Sequence, residues 1–379
     1  MDVALTGEQI AIRDMALAVG QAEIAPHARA WETAGTMPRD LWPKLAELGL
    51  GGLYVPDEMG GTGLSRHDAT LVFEALAQAC PSVAAFLSIH NMGAAMIARH
   101  GTPALRANWL DRAVQMDAIV SYCLTEPGSG SDAAALRTRA EPTADGWALT
   151  GTKAFISGAG YSDAYIVMAR SGGPGAGGIS AFLVPAGTPG LSFGALEDKM
   201  GWRCQPTRAV HLDNCNIPAE NLLGDVGKGF TYAMAGLDGG QVNIAACSLG
   251  GAQAAFDRTR TYMAERQAFG QRLDQMQALQ FRLADMEIGL QSARLMLRHA
   301  ATLLDAGAPE ATTFCAMAKT LCTETGSRVA DECLQLHGGY GYLADYGIEK
   351  ILRDLRVHRI LEGTNEIMRL IVARHLKAT

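Results

Sequence analysis

The sequence predicts an α+β chain, mainly α, ordered as helices, then a β segment, then helices. Two changes of texture predict it. Up to about residue 118, and again from about 225, apolar residues recur at helical intervals; from 119 to 224 short apolar runs are punctuated by Gly and Pro. Three domains follow: a helical domain over 1–118, a β domain over 119–224 and a helical bundle over 225–379. With 379 residues, 48% of them hydrophobic, the chain can bury several sizeable cores.

The elements can be justified in order. Thr6 and Gln9 form a capping box ahead of a helix whose Ile10, Ala11, Ala18 and Ala22 fall at helical spacing. Leu41–Leu50 reads as a short helix stopped by Gly51-Gly52, and a loop over Val55–Gly63 precedes an apolar helix from about Ala69. The uncharged stretch Ala75–Ala98 is long enough to suggest a membrane span. Pro81 interrupts it, and Gln78, Ser82, His90 and Asn91 stud it, so two buried helices joined near Cys80-Pro81 explain it better. In the β segment Val120, Tyr122 and Leu124 alternate with other residues, a turn at Asp145-Gly146 leads into Trp147–Thr150, and Tyr165–Ala169 and Ile179–Val184 have strand length. An antiparallel domain of short strands is expected. Beyond it, Ala252–Ala264, Gln277–Leu304, Thr312–Leu336 and Ile348 to about Ile360 read as helices of an antiparallel bundle.

Charge and cysteine usage exclude some classes. With 32 basic against 39 acidic residues the net charge is −7, so no nucleic-acid partner is expected. Eight scattered cysteines, with no CxxC pair and no His at ligand spacing, read as buried small residues in a reducing compartment rather than a zinc site; no metal is expected. The start MDVALTGEQIAIRDMA lacks the basic head and apolar run of a leader peptide. A cytoplasmic protein, or a mitochondrial matrix one numbered without its presequence, is expected, with no membrane partner. Gly173–Gly178 satisfies G-x-G-x-x-G, but it joins two predicted strands and contains Pro174, so it reads as a hairpin and not as a dinucleotide loop.

Three segments carry candidate chemistry. Ser121–Asp132 runs from a strand into a turn dense in Gly and Ser, whose N–H and hydroxyl donors suit ring carbonyls or phosphates; it also reads as an ordinary polar turn. Lys153–Gly158 joins an aromatic and a hydroxyl residue that would wall a planar ring, or simply end a strand. Glu362 stands between Ile360-Leu361 and Gly363, just before a helix that Thr364 can cap. An apolar setting raises a carboxylate's pKa and suits a general base acting on a weak carbon acid, whereas the nearby helix N-terminus opposes the rise. A loop acid assisting the cap is the other reading.

Taken together, YCLTEPGSGSD (122–132), FISG (155–158), RQAFG (266–270), QLHGGYG (335–341) and ILEGTN (360–365) resemble, in this order, the acyl-CoA dehydrogenase family over essentially the whole chain. SIHNM (88–92), GLSF (190–193), QPTRAV (205–210) and HGGYGYL (337–343) are similar to members acting on short branched acyl-CoA. The resemblance implies a middle β-barrel-like domain, a C-terminal four-helix bundle, FAD between the two, and a homotetramer. It implies that Tyr122, Leu124, Thr125, Gly130 and Ser131 line the flavin's pyrimidine side, Ser131 also touching substrate, and that Phe155, Ile156 and Ser157 pack near the ring. Arg266, Phe269, Met276 and Gln277, with Gln335, Leu336, His337, Gly338 and Gly339, match positions that hold FAD across a subunit interface. Thr364, Asn365 and Glu366 match further FAD contacts; Asp238, Gln241, Gly363 and Arg374 match positions on the substrate side.

Glu362 takes the position of the base that removes the α-proton while the β-hydrogen leaves as hydride, electrons passing to electron-transferring flavoprotein. Some members supply the base from the position occupied here by Gly240, which strengthens Glu362. Most relatives carry Arg where this chain has Gln241, which keeps hydrogen bonding and loses a charge. An O₂-using flavin oxidase or monooxygenase on the same scaffold, preference for 2-methylbutyryl or butyryl thioesters, and a non-enzymatic binding or assembly role are the alternatives.

Overall fold

A computed structural model of the chain describes residues 4–378. Helices α1 (Gly7–Val19), α2 (Ala28–Ala34), α3 (Leu41–Ala46), α4 (Arg66–Ala79), α5 (Pro81–His100) and α6 (Pro103–Val114) form the N-terminal part. The Thr6 hydroxyl accepts from the Gln9 N–H while the Gln9 side chain accepts from the Thr6 N–H, closing the capping box. Pro81 begins α5 at a position where its missing N–H costs nothing. The helix it opens is almost wholly buried in protein and the one before it mostly so, as expected from their polar interruptions. The expected helix over Leu41–Leu50 is shorter: α3 ends at Ala46, and Gly51-Gly52 lie in a separate 3₁₀ turn where a Cβ on Gly51 would collide with the Val114 carbonyl.

Eight strands follow: β1 (Val120–Cys123), β2 (Arg139–Pro142), β3 (Gly146–Ser157), β4 (Ala164–Arg170), β5 (Ile179–Pro185), β6 (Leu191–Phe193), β7 (Thr207–Pro218) and β8 (Leu222–Leu223). They make one sheet in the order β6-β7-β3-β2-β4-β5-β8, with β1 paired to β4. Two expectations are corrected. β1 runs parallel to β4, and β2 meets β4 in parallel at Arg139–Arg170, so the sheet is mixed. β3 and β7 are not short: each has 12 residues, with register shifts near Gly151 and between Lys153 and Ile156 that bend the pair. The Gly173–Gly178 segment is the connection between antiparallel β4 and β5, as read from sequence.

The C-terminal part holds α7 (Gly229–Glu265), a small hairpin of β9 (Gln267–Ala268) and β10 (Gln271–Arg272), α8 (Gln277–Asp305), α9 (Ala311–His337), α10 (Ile348–Arg356) and α11 (Asn365–Ala378). α7 begins at Gly229, well before the expected Ala252, because Gly236, Gly239 and Gly240 mask its N-terminal half in sequence. The last predicted helix ends at Arg356 and tightens into a 3₁₀ turn at Val357–Arg359. α9 packs against α7 and α8, and α11 lies on α9. One apolar core joins α1, α4 and α5 to α7, α8 and α9, and all eight cysteines are buried.

Candidate active site

The site is built where α7, α9, β1 and the loop before α11 meet. Thr364 caps α11 by accepting from the Ile367 N–H at 3.3 Å, so the preceding residues must turn sharply. Glu362 and Gly363 both take positive φ, +53° and +87°. Such a backbone is costly for a glutamate and persists only when its surroundings fix it. What fixes it is Lys319, whose Nζ donates to the Gly363 carbonyl at 2.7 Å and to Asn365 Oδ1 at 2.8 Å. Asn365 is further held by Thr323 and Glu324.

Glu362 Oε2 is shut off from solvent and has no hydrogen-bond partner, and the same holds for the Tyr122 hydroxyl and for Gln241 Oε1. Burial pushes the Glu362 carboxyl up to about 7, opposed by the Lys319 ammonium. The Tyr122 phenol is pushed up by burial and by the Glu362 charge, which places the two side chains in each other's field. Unpartnered buried polar atoms cost free energy in isolation, a cost that a polar ligand would offset. Gly240 makes the space: a Cβ there would press on Glu362 Oε2 and lie 2.8 Å from its Cδ. On the same stretch of α7, Asp238 accepts from Thr312 at 2.8 Å and burial raises its pKa.

The turn at 124–131 is held from below by a buried ion pair. Lys153 Nζ donates to the Leu124 carbonyl at 3.1 Å and to Glu126 Oε1 at 2.8 Å, and the Glu126 carboxylate also accepts from the Arg137 and Thr138 N–H groups. The Thr125 carbonyl accepts from the Ala154 N–H at 2.9 Å, so Tyr122, Leu124 and Thr125 sit beside Phe155, Ile156 and Ser157. Phe155 has φ +57° and is 69% exposed, while Ile156 is buried. Gly158 at φ +79° has no room for a side chain between Ser121, Ser162 and Phe86. Gly130 and Ser131 are exposed on the turn.

A second group gathers at the end of α9. Arg266, Gln335, Leu336, His337, Gly338 and Gly339 line a cleft of about 420 Å³ with Tyr262, Leu273, Tyr340 and Leu343. The Arg266 guanidinium lies over the Tyr340 ring, 5.6 Å from its centre, and His337 stacks on Tyr262 at 4.3 Å. Phe269 has φ +52° and is 98% exposed; Met276 and Gln277 open α8 nearby. Glu366 and Arg374 are exposed on α11, the first in its opening turn and the second towards its far end.

Sequence reading did not find Lys319. A single lysine in AMAKTLC reads as a solvated position, yet Cys315, Ala316, Cys322 and Thr323, its neighbours on the helix face, are small and buried, which was the available signal. Nor did it find His358, buried with its Nε2 accepting from Trp202 Nε1 at 3.2 Å and its Nδ1 2.6 Å from the Ser248 hydroxyl.

Comparison with known proteins places this arrangement. Family profiles for the acyl-CoA dehydrogenase N-terminal, middle and C-terminal domains match residues 6–117, 121–215 and 227–377. The chain is 50% identical over 375 residues to mitochondrial isobutyryl-CoA dehydrogenase of Dictyostelium discoideum, covering 99% of this chain and 90% of that one. The butyryl-CoA dehydrogenase structure from Megasphaera elsdenii superposes with TM-score 0.95 at 35% identity, covering 100% of both chains. A structure from work on the electron transferring flavoprotein of Acidaminococcus fermentans superposes with TM-score 0.96 at 36% identity, covering 99% of both.

Proposed function

Because the chain belongs to the acyl-CoA dehydrogenase family of FAD-dependent enzymes, we propose that it dehydrogenates a short branched acyl-CoA, isobutyryl-CoA foremost, to the 2-enoyl thioester. The observation that carries this is the buried, unpartnered Glu362 Oε2, with the equally unpartnered Tyr122 hydroxyl in its field. The 50% identity to an isobutyryl-CoA dehydrogenase supports the branched substrate.

The residues present fit FAD. The orphaned Tyr122 hydroxyl, the donor-rich turn at Leu124, Thr125, Gly130 and Ser131, and Phe155–Ser157 would hold the ring end. Arg266, Phe269, Met276, Gln277 and Gln335–Gly339 would hold the pyrophosphate and adenine, with Thr364, Asn365 and Glu366 closing the site. Bound FAD supplies a hydride acceptor. Glu362 removes the α-proton, and its backbone N–H donates to the thioester carbonyl as negative charge develops there, a donor of the kind commonly worth about 3–4 kcal/mol. Ser131, Asp238, Gln241, Gly363 and Arg374 form the substrate side of the proposal. Electrons pass on to electron-transferring flavoprotein. The segments 1–118, 119–224 and 225–379 act as three domains, and four chains assemble. Phe269, Tyr342 and the Phe281–Ile288–Leu295 stripe at heptad spacing on α8 are apolar and exposed on one chain, which supports assembly.

Anaerobic titration of the flavoprotein with isobutyryl-, 2-methylbutyryl- and butyryl-CoA tests this. Isobutyryl-CoA is expected to bleach the flavin at the lowest concentration; preferential bleaching by butyryl-CoA overturns the branched assignment, and peroxide formed stoichiometrically in air overturns the dehydrogenase assignment. Arg266→Ala is expected to weaken FAD binding about tenfold, the worth of one charge-assisted contact, with little change in stability because the side chain is exposed. Flavin fluorescence on titration of the apoprotein measures it.

A further inference from the structure

Lys319 is wholly buried, and its two hydrogen-bond acceptors on the loop, the Gly363 carbonyl and Asn365 Oδ1, are neutral. A buried ammonium without a counter-charge is expensive, and neutral acceptors lessen that cost without removing it. Three carboxylates act on it: Glu362 first, then Glu366 and Glu324. Glu324 is already paired with Arg359 and Arg369, at 3.0 and 3.2 Å. Glu366 is exposed and shares Arg369 at 4.0 Å. Glu362 alone has no other cation acting on it, and its Oε2 has no partner.

Among the described residues, no further charge acts on Glu362. Tyr122 from β1 faces it with a phenol whose hydroxyl is buried, and α7 presents Gly240. On the 3₁₀ turn before the loop, His358 is held neutral, pushed down to about 3 by burial and by the Lys319 charge. Residue 241 of α7 is glutamine, so no guanidinium at that position competes with Lys319 for the base.

We propose that Lys319 is the positioning residue of this site: its ammonium clamps the left-handed loop that presents Glu362 and serves as the buried counter-ion of the Glu362 carboxylate. With the cation in place the carboxylate stays ionised near neutral pH, ready to accept a proton, although its surroundings are apolar. When the base takes up a proton the pair leaves a lone buried cation, so Lys319 also favours return of the proton once product departs.

The inference rests on Glu362 being the base, so the experiment is done without substrate and is readable even if no acyl-CoA reduces the enzyme. In the FAD-loaded protein, the infrared carbonyl band of protonated Glu362, identified by its loss in E362Q, is titrated against pH. Lys319→Met is expected to move the midpoint upward by about one pH unit or more, a tenfold change in proton affinity, and Lys319→Arg to leave it near the native value. A lowered melting temperature or rate with an unmoved midpoint overturns the counter-ion role. Should K319M not fold, the reciprocal measurement decides: the pKa of Lys319, pushed down to about 8 by burial, is expected to fall further in E362Q when followed by its ¹³Cε resonance. An unchanged lysine midpoint there likewise overturns it.

Discussion

Glu362→Gln is expected to keep FAD and lose its reduction by acyl-CoA. The substitution preserves side-chain volume and leaves Lys319 its two loop acceptors, so the turn through Glu362 and Gly363 should persist. What it removes is, among the described residues, the only carboxylate with an unpartnered, solvent-free oxygen. A positioned general base contributes roughly 10²–10⁴-fold, and here no neighbour can replace it: Tyr122 is held protonated by burial, and residue 240 is glycine. Anaerobic stopped-flow bleaching should fall by about 10³-fold or more while the flavin spectrum and melting temperature hold. The native enzyme's pH dependence has a definite sign. The base must be ionised, so the reduction rate rises with pH through the Glu362 midpoint near 7 and levels off above it. A variant that bleaches at the native rate, or a native rate falling through that window, takes Glu362 out of the mechanism.

How far the sequence reached follows from where each signal resides. Local signals were legible: the Thr6–Gln9 box, Pro81 opening α5 and Thr364 capping α11 all depend on residues within a turn of each other. Non-local ones were not. The parallel pairing of β1 with β4 joins Val120 to Ala164 across an intervening hairpin, and no alternation within either strand encodes its direction. The N-terminal half of α7 was hidden because glycine disfavours helix by about 1 kcal/mol each, a cost overridden by packing. At Gly239 the space is taken by the Arg66 guanidinium, and at Gly250 by the Glu74 carbonyl of α4. Glu362 stood out as a candidate because its apolar flanks and its cap are contiguous. Lys319 could not, because its burial and its loop partners are properties of α9 packed against the segment before α11.

That reading of α7 yields the second large effect. By helix propensity alone, Gly240→Ala should stabilise the protein by roughly 0.5–1 kcal/mol, since alanine restricts the unfolded chain more than glycine does. The nearest atoms to the added Cβ are the Glu362 carboxyl oxygens and Cδ, the mobile end of a side chain, rather than backbone. The fold can therefore accept it, and the displacement falls on the Glu362 carboxylate. Misplacing a reacting group by about 1 Å costs on the order of 10²-fold, so flavin reduction should drop by about that factor while the melting temperature stays level or rises. Gly250→Ala supplies the contrast on the same helix, because its Cβ would strike the backbone carbonyl of Glu74 and lie 2.8 Å from Ala77 Cβ. That variant should lose stability instead. Thermal melts and anaerobic bleaching of the two proteins separate the effects. If G240A reduced its flavin at the native rate, the carboxylate would not need the space that glycine leaves, and the placement of the base against α7 would be wrong.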